Sequence, residues 1–382
     1  MKYDFLIVGA GFSGSILAER IANVLSMKSL VIDRRDHIGG NCYDYVNDNG
    51  ILVHKYGPHA FHTVNQKVIA YLSKFTKWID YEHMVQAEVE NRKIPIPFNL
   101  NSLRMCFDKN KADIIEKTLI ESYGFGNKVP ILTLMNTDSE LLKELAEYVY
   151  QHVFLGYTLK QWGMKPEELG NNVTGRIPVV ISHDNRYFHD TFQKMPDKGY
   201  TEMIGNILSN DNITIKLNTD YEQVNCLNCQ FEYNSLIWTG PIDRYFNYKY
   251  GRLPYRSLRF ELSEFDYEFH QETAQLNFPE SQPYTRTTEF KHFYNTNSER
   301  TTVAYEYPEE YTEGLNEPYY PIPKSEFEDM YSLYSEEAEK LKGKVYFVGR
   351  LADYKYYNMD QVVGVALQFF DKQIKPKFSD GK

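Results

Sequence analysis

The chain has 382 residues, 25% of them charged and 42% hydrophobic, with a formal net charge of −10. That length supports two or three domains with cores of their own, and the negative balance repels nucleic-acid phosphates and argues against a polynucleotide partner. No apolar run approaches the ~18 residues that cross a bilayer, which argues against a membrane partner.

Four cysteines, Cys42, Cys106, Cys226 and Cys229, are consistent with a reducing compartment. The last two form C-x-x-C, but no second pair or nearby His pair completes a zinc site, so the reading is ordinary reduced thiols with metal binding a distant second. "MKYDFLIVGAG" enters a glycine motif without the basic flank, apolar stretch and cleavage site of a secretory signal, and a cytoplasmic protein is expected. The 32 Tyr, 23 Phe and 3 Trp suit sugar and base recognition as well as a core, because a tyrosine offers a flat face and a hydroxyl.

In chain order, residues 2–8 read as a buried strand, 14–26 as a helix and 29–33 as a second strand, one βαβ unit with glycines at its first turn. "MVQAEVENRKIPIPF" (84–98) alternates as two strands around an Asn91-Arg92 turn. From about 99 to 163 the pattern is helical: "ADIIEKTLIESYG" ends at Gly124, and Thr137 to Glu140 reads as a capping box. Beyond it, Leu141, Leu145, Tyr148, Val149 and His152 form a core-packing stripe. Residues 200–240 return to the first domain through a short helix and the strands "ITIKL" (213–217) and "SLIWTGP" (235–241). "RSLRFEL", "AQLNF" and "TVAYEY", between 256 and 307, predict an antiparallel sheet; "KVYFVG" (344–349) is a strand and "DQVVGVALQFF" (360–370) a helix.

The expected fold is α/β: a discontinuous Rossmann-like FAD-binding domain (1–80, 196–245 and 338–375), an inserted helical domain (99–165), and an antiparallel β-sheet substrate domain (81–98, 166–195 and 246–337). Gly9, Gly11 and Gly14 serve a tight turn, close approach to a pyrophosphate and helix-strand packing, and Asp33, about 20 positions on, can accept from ribose hydroxyls. "DRRDHIGGN" (33–41) adds Gly39 and Gly40, and "FVGRLADYKYYNMDQVV" gives a late strand, Gly349-Arg350, a loop and a helix. This spacing resembles the glutathione-reductase-like flavoproteins, whose last helix aims its positive end at the flavin, and so favours FAD over NAD.

Several rarer motifs occur in order: "YGPHAFHT" (56–63), "GYTLKQWG" (156–163), "GRIPV" (175–179), "TGPID" (239–243), "YRSL" (255–258), "PYTR" (283–286), "EPYYP" (317–321) and "GRLADYKYYNMDQVV" (349–363). Over nearly its whole length the chain resembles the bacterial UDP-galactopyranose mutases. The resemblance implies a redox-neutral interconversion of UDP-galactopyranose and UDP-galactofuranose that feeds cell-surface glycan synthesis. Reduced FAD acts in it as the nucleophile at the anomeric carbon. It further implies a homodimer, a UDP-sugar substrate, and a reductant such as NAD(P)H or a reduced flavin.

The resemblance also assigns residues. Arg176 and Arg286 are the mobile and fixed arginines that steady the departing diphosphate, and His62 lies close to flavin and sugar. Tyr157 and Trp162 are uridine-side aromatics; Tyr187, Tyr307 and Tyr356 bond the diphosphate; Phe188, Arg256 and Asn358 complete the substrate set. Cofactor contacts fall on Gly9, Gly11, Phe12, Ser13, Gly14, Asp33, Arg34, Gly40, Asn41, Gly349, Arg350 and Met359, and no metal is expected. The breaker-rich stretch 163–179, which carries Arg176, reads as a closing lid.

Asn358 stands where the familiar mutases carry aspartate, Asp360 replaces a histidine, His83 an asparagine, and Val153-Phe154 a Phe pair. These departures leave open a sister mutase acting on UDP-N-acetylgalactosamine or dTDP-fucose, though His62 favours plain galactose. Two rivals stay in view: a flavin amine oxidase, and a nucleotide-sugar-binding module without catalysis.

Overall fold

The computed structural model describes residues 2–168, 178–224, 231–294 and 296–379. Arg176, Cys226, Cys229 and most of the 163–179 stretch lie outside them.

A parallel sheet of five strands organises the first layer, in the order Ile213–Lys216, Ser29–Ile32, Lys2–Val8, Glu232–Trp238, Val345–Phe347. The strand Lys2–Val8 and helix Phe12–Leu25 form the βαβ unit that the glycine motif predicts, the helix starting two residues earlier than its pattern suggests. One face of the helix buries Ile16, Leu17 and Ile21 against Phe5 and Ile7 of the strand, each such side chain contributing about 1.5–3 kcal/mol. The last helix, Met359–Phe369, packs alongside through Val363 and Ala366. Both helices therefore present their N-termini at the carboxyl end of this sheet, where open α/β sheets bind ligands.

The second sheet has seven strands, in the order Tyr320–Pro321, Tyr255–Phe265, Thr301–Glu310, Arg286–Glu289, Gln275–Asn277, Val85–Val89, Arg92–Ile96. It is antiparallel, as the alternation predicts, except that Gln275–Asn277 runs parallel to Val85–Val89. The turn before Arg92 falls one residue earlier than expected. Glu90 and Asn91 both take positive φ, 50° and 62°, the backbone twist that a tight hairpin requires.

The region from 99 to 163 is helical, with one short strand, Lys128–Pro130, that pairs with Pro178–Val180. Gly124 caps the helix Lys109–Tyr123 as read. The expected capping box is corrected: Ser139 is the N-cap of Glu140–Val149 and accepts from Leu142 N–H at 3.5 Å, while Thr137 lies outside the helix. The buried stripe consists of Leu142, Leu145, Ala146 and Val149, with Leu141 only partly buried. His152 is a packing residue, stacked on Tyr148 with ring centroids 4.5 Å apart. A small third sheet, Phe61–Thr63, Phe192–Pro196 and Trp78–Asp80, lies beside the parallel one.

Candidate active site

A cleft, partly open to solvent, runs along the carboxyl end of the parallel sheet. Gly9, Gly11, Phe12, Ser13, Asp33, Arg34, Gly40, Asn41, Gly349, Arg350 and Met359 all line it, and Gly14 lies just behind. Gly9 turns with φ 108°, and a Cβ there would run into Thr239 Oγ1; a Cβ on Gly14 would strike the Gly9 carbonyl oxygen. The backbone thus approaches as closely as a bound pyrophosphate needs, against a helix N-terminus whose cap, Gly11, supplies no side chain to satisfy it.

Asp33 is preset: Oδ2 accepts from Ala10 N–H at 2.9 Å and Oδ1 from Arg35 N–H at 3.0 Å. Each carboxylate oxygen retains a lone pair for a ribose hydroxyl. At the far end, Met359 and Val362 bring the N-terminus of the last helix to the cleft wall, where Gln361 Oε1 accepts from Asn358 N–H at 2.9 Å. A glycine cradle, a ribose-binding acid and two helix N-termini along one elongated cleft fit FAD.

The cleft also holds residues that the sequence reading passed over. Arg35, beside the expected Arg34, lies 4.2 Å over the Tyr56 ring and donates to Asn41 Oδ1 at 2.9 Å and Glu317 Oε2 at 2.8 Å. Arg34 pairs with Glu317 from the more exposed side. His59, and not His62, lines the cleft. Its Nδ1 lies 2.7 Å from the Gly57 carbonyl, and burial pushes its imidazole down to about 3, so it stays neutral. Cys42 also lines the cleft, with burial pushing its thiol up to about 12, which removes it from thiolate chemistry.

Arg350 marks the end of the cleft. Its guanidinium sits 5.8 Å from the rings of Tyr320 and Tyr356, which stack on each other at 5.2 Å. Next to them is Arg286, whose Nε donates to Glu306 Oε1 at 2.9 Å and whose guanidinium lies 6.0 Å from the Tyr157 ring. Burial alone would lower the Arg286 pKa, but the Glu306 carboxylate and the tyrosines Tyr157, Tyr320 and Tyr187 together outweigh it and hold the group above its ordinary value. Tyr157, Tyr187 and Tyr320 are close enough to Arg286 to feel its charge, and burial raises the pKa of all three. The structure brings Arg286, Tyr157, Tyr187 and Tyr356 together, and adds Tyr320.

Two other expected positions are corrected. Tyr307 follows Glu306 on the same strand, so its side chain falls on the opposite face of the sheet, with Arg259 4.1 Å over its ring. Arg256 does not reach the flavin cleft: its Nε donates to the Gln161 carbonyl at 3.1 Å. It shares a neighbouring cleft with Trp162, whose indole lies 6.4 Å from Tyr320. His62 stacks on Phe188 at 3.5 Å with Nδ1 2.9 Å from Asp190 Oδ2, and Phe188 in turn stacks on His83. Burial and then Arg286 push His83 down to about 3. Asp360 accepts from Thr63 Oγ1 at 2.8 Å and pins the last helix to the small sheet. Among the described residues no cluster of His, Cys, Asp and Glu could hold a metal.

The family model for UDP-galactopyranose mutase matches residues 152–356, and that for an NAD(P)-binding Rossmann-like domain residues 7–75. A Klebsiella pneumoniae protein named "Probable UDP-galactopyranose mutase" is 36% identical over 375 residues, 97% of this chain and 94% of its own length. An Escherichia coli dTDP-fucopyranose mutase is 32% identical over 374 residues, 97% of this chain and 98% of its own. A crystal structure of reduced UDP-galactopyranose mutase superposes with a TM-score of 0.71 at 16% identity, covering 97% of this chain and 93% of that one. A putrescine oxidase reaches 0.58 at 11% identity, covering 98% and 99%. The fold is common to mutases and amine oxidases, so the fold leaves the chemistry open and the sequence identity decides it.

Proposed function

The chain belongs to the UDP-galactopyranose mutase family, and from that premise we propose that Arg286 and the tyrosines around it hold the diphosphate of a UDP-sugar at the mouth of the FAD cleft. The protein is an isomerase that interconverts UDP-galactopyranose and UDP-galactofuranose and works with FAD. When bound and reduced, the flavin supplies the nucleophile for the anomeric carbon, with no net redox change.

The polypeptide answers for the leaving group. Breaking the anomeric C–O bond develops charge on the diphosphate, and a guanidinium already aimed there stabilises it without reorganising. The observation that carries this reading is the orientation of Arg286. Glu306 occupies Nε, and among the described residues neither Nη makes a hydrogen bond, which leaves a fork of donors for phosphate oxygens. Burial keeps the hydroxyls of Tyr157, Tyr187 and Tyr320 protonated at neutral pH, so they can donate to the same oxygens. Arg350 links this set to the flavin end, where the neutral His59 offers a hydrogen-bonding ring without a competing charge. The resemblance adds Arg176 as a second guanidinium, and His62, Trp162, Phe188 and Asn358 as residues nearer the sugar and base.

The test is chromatography of UDP-galactofuranose incubated with oxidised and with reduced enzyme. Pyranose should form only with reduced flavin and without stoichiometric consumption of reductant. Turnover by oxidised flavin with an electron acceptor would instead mark an oxidase. UDP binding without any product would mark a binding module. The E. coli dTDP-fucopyranose mutase relative and the Asn358 position favour one second reading, a 6-deoxy sugar nucleotide, so dTDP-fucose and UDP-N-acetylgalactosamine belong in the same assay.

The domain division at residues 1–80, 196–245 and 338–375 for FAD, 99–165 for the helices and 81–98, 166–195 and 246–337 for the sheet belongs to this reading; the pairing of the five parallel strands supports its first part, whereas Pro178–Val180 pairs with Lys128–Pro130 and Phe192–Pro196 with strands of the first segment. We further infer a cytoplasmic homodimer, reduced by NAD(P)H or a reduced flavin and supplying furanose to surface glycans; the family resemblance supports it. Among the described residues no helix is long and apolar enough to cross a membrane.

A further inference from the structure

The helical segment Gly156–Trp162, which carries Tyr157 and Trp162, runs on from Glu140–Val149 through the wider turn Tyr150–Leu155 and ends at Gly163, where its last carbonyls need partners from outside the helix. Cations hold it from both sides. Arg256, 7% exposed at the start of the strand Tyr255–Phe265, donates from Nε to the Gln161 carbonyl at 3.1 Å and from Nη2 to the Lys160 carbonyl at 3.4 Å. These belong to the last turn, where unpaired carbonyls attract a positive group. Lys160 reaches the other way, its Nζ donating to the carbonyls of Phe278 at 2.6 Å and Tyr284 at 3.4 Å.

Backbone geometry tightens both ends. Gly156 lies so close to the 278–285 loop that a Cβ there would run into the Pro279 carbonyl oxygen. Gly163 closes the helix with φ 68°, and a Cβ would sit 3.5 Å from Arg256 Nη1. Burial lowers the Arg256 pKa and pushes Lys160 down to about 8, as expected for desolvated cations bonded only to neutral carbonyls. Tyr284 stands two positions before Arg286, so the Lys160 bond spans from the Tyr157 helix to the approach of the phosphate-facing arginine.

We propose that Lys160 and Arg256 are positioning residues for nucleotide binding: without touching the substrate, they fix the spacing between Tyr157 and Arg286. The inference rests on the mutase reading above. It replaces the expectation that Arg256 contacts substrate.

The experiment measures the Kd of UDP for the oxidised holoenzyme by quenching of intrinsic fluorescence, with KM and kcat of the reduced enzyme and the flavin spectrum and Tm as companions. Lys160→Met and Arg256→Met should each raise Kd and KM about tenfold or more, with kcat affected less and the flavin spectrum unchanged. Lys160→Arg, which still reaches both carbonyls, should recover most of the affinity. Should either methionine variant fail to hold FAD, Lys160→Gln and Arg256→Lys carry the same comparison. Variants that lose Tm while binding UDP as tightly as the wild type would overturn the proposal. A wild type that binds no UDP would overturn the mutase reading beneath it, which separates the two failures.

Discussion

Arg286 and Glu306 face each other across neighbouring strands, Nε to Oε1 at 2.9 Å, with Glu306 3% exposed and accepting a second bond from Thr285 Oγ1 at 3.2 Å. The carboxylate thus fixes one edge of the guanidinium and leaves the other for ligand. A lysine has no second edge. Arg286→Lys should therefore keep the charge yet lose about 10²-fold in kcat, and Arg286→Ala more still. The assay is chromatographic conversion of UDP-galactofuranose by the reduced enzyme. Wild-type turnover in either variant would remove Arg286 from the reaction.

Tyr320 and Tyr307 give opposite expectations. Tyr320 stacks on Tyr356 beside Arg286, whereas Tyr307 packs under Arg259 on the far face of the sheet. Removing the Tyr320 hydroxyl as Tyr320→Phe should weaken UDP binding by roughly 1 kcal/mol, about fivefold in Kd, while Tyr307→Phe should leave it unchanged. Titration of the two variants with UDP decides between them, and the reverse order would restore the reading made from the sequence.

What the sequence made legible, and what it hid, follows from the same geometry. The βαβ start, the glycine cradle and Asp33 depend on neighbours within about 30 residues; Gly9, Gly11 and Asp33 line the cleft, with Gly14 just behind. Tyr307 went wrong because adjacent strand residues face opposite ways: alternation shows that Glu306 and Tyr307 divide the two faces, but only the packed sheet shows which face holds Arg286. His59 carries no such signal, because it sits in the irregular stretch before the strand Phe61–Thr63, where no period says which side chain turns inward; Arg35 lines the cleft together with the expected Arg34. The place of Arg256 against the Gly156–Trp162 segment was not legible because its partners, the carbonyls of Lys160 and Gln161, are far away in the chain and carry no side-chain signature.

The cradle at Gly9 offers a steric test independent of turnover. Its φ of 108° disfavours any Cβ, and the space a Cβ would take is filled by Thr239 Oγ1, itself donating to the Val8 carbonyl at 2.8 Å. Gly9→Ala should purify with little flavin, read as the ratio of flavin to protein absorbance. Gly50 also has positive φ, 72°, but nothing lies within 4 Å of its Cβ position, so Gly50→Asn should retain full flavin. Equal flavin content in the two variants would show that the Gly9 turn does not shape the cofactor site.

Buried histidines, His54 and His83 with His59 beside the cleft, oppose acid in this fold. His54 and His83, 1% and 5% exposed, have ordinary values of 6.5 and are pushed by burial to about 3, with Arg286 adding to the effect at His83. The folded state keeps both neutral while the unfolded chain protonates them near pH 6.5. Between about 6.5 and 3 the unfolded state therefore binds more protons, and stability falls as pH falls, by up to about 1.4 kcal/mol per pH unit for each ring. Above pH 6.5 the contribution is complete and the dependence ends. Urea unfolding between pH 5 and 7 should show this slope in the wild type, reduced by Asp243 and Asp353, whose carboxyls burial raises to about 6 so that the folded state also takes up protons in that range. His83→Gln, whatever its stability at pH 7, should remove about one proton from it, because the glutamine cannot titrate. A variant with the wild-type slope would mean that His83 already takes up its proton in the folded protein, and that Arg286 does not raise the cost of a second positive charge beside it.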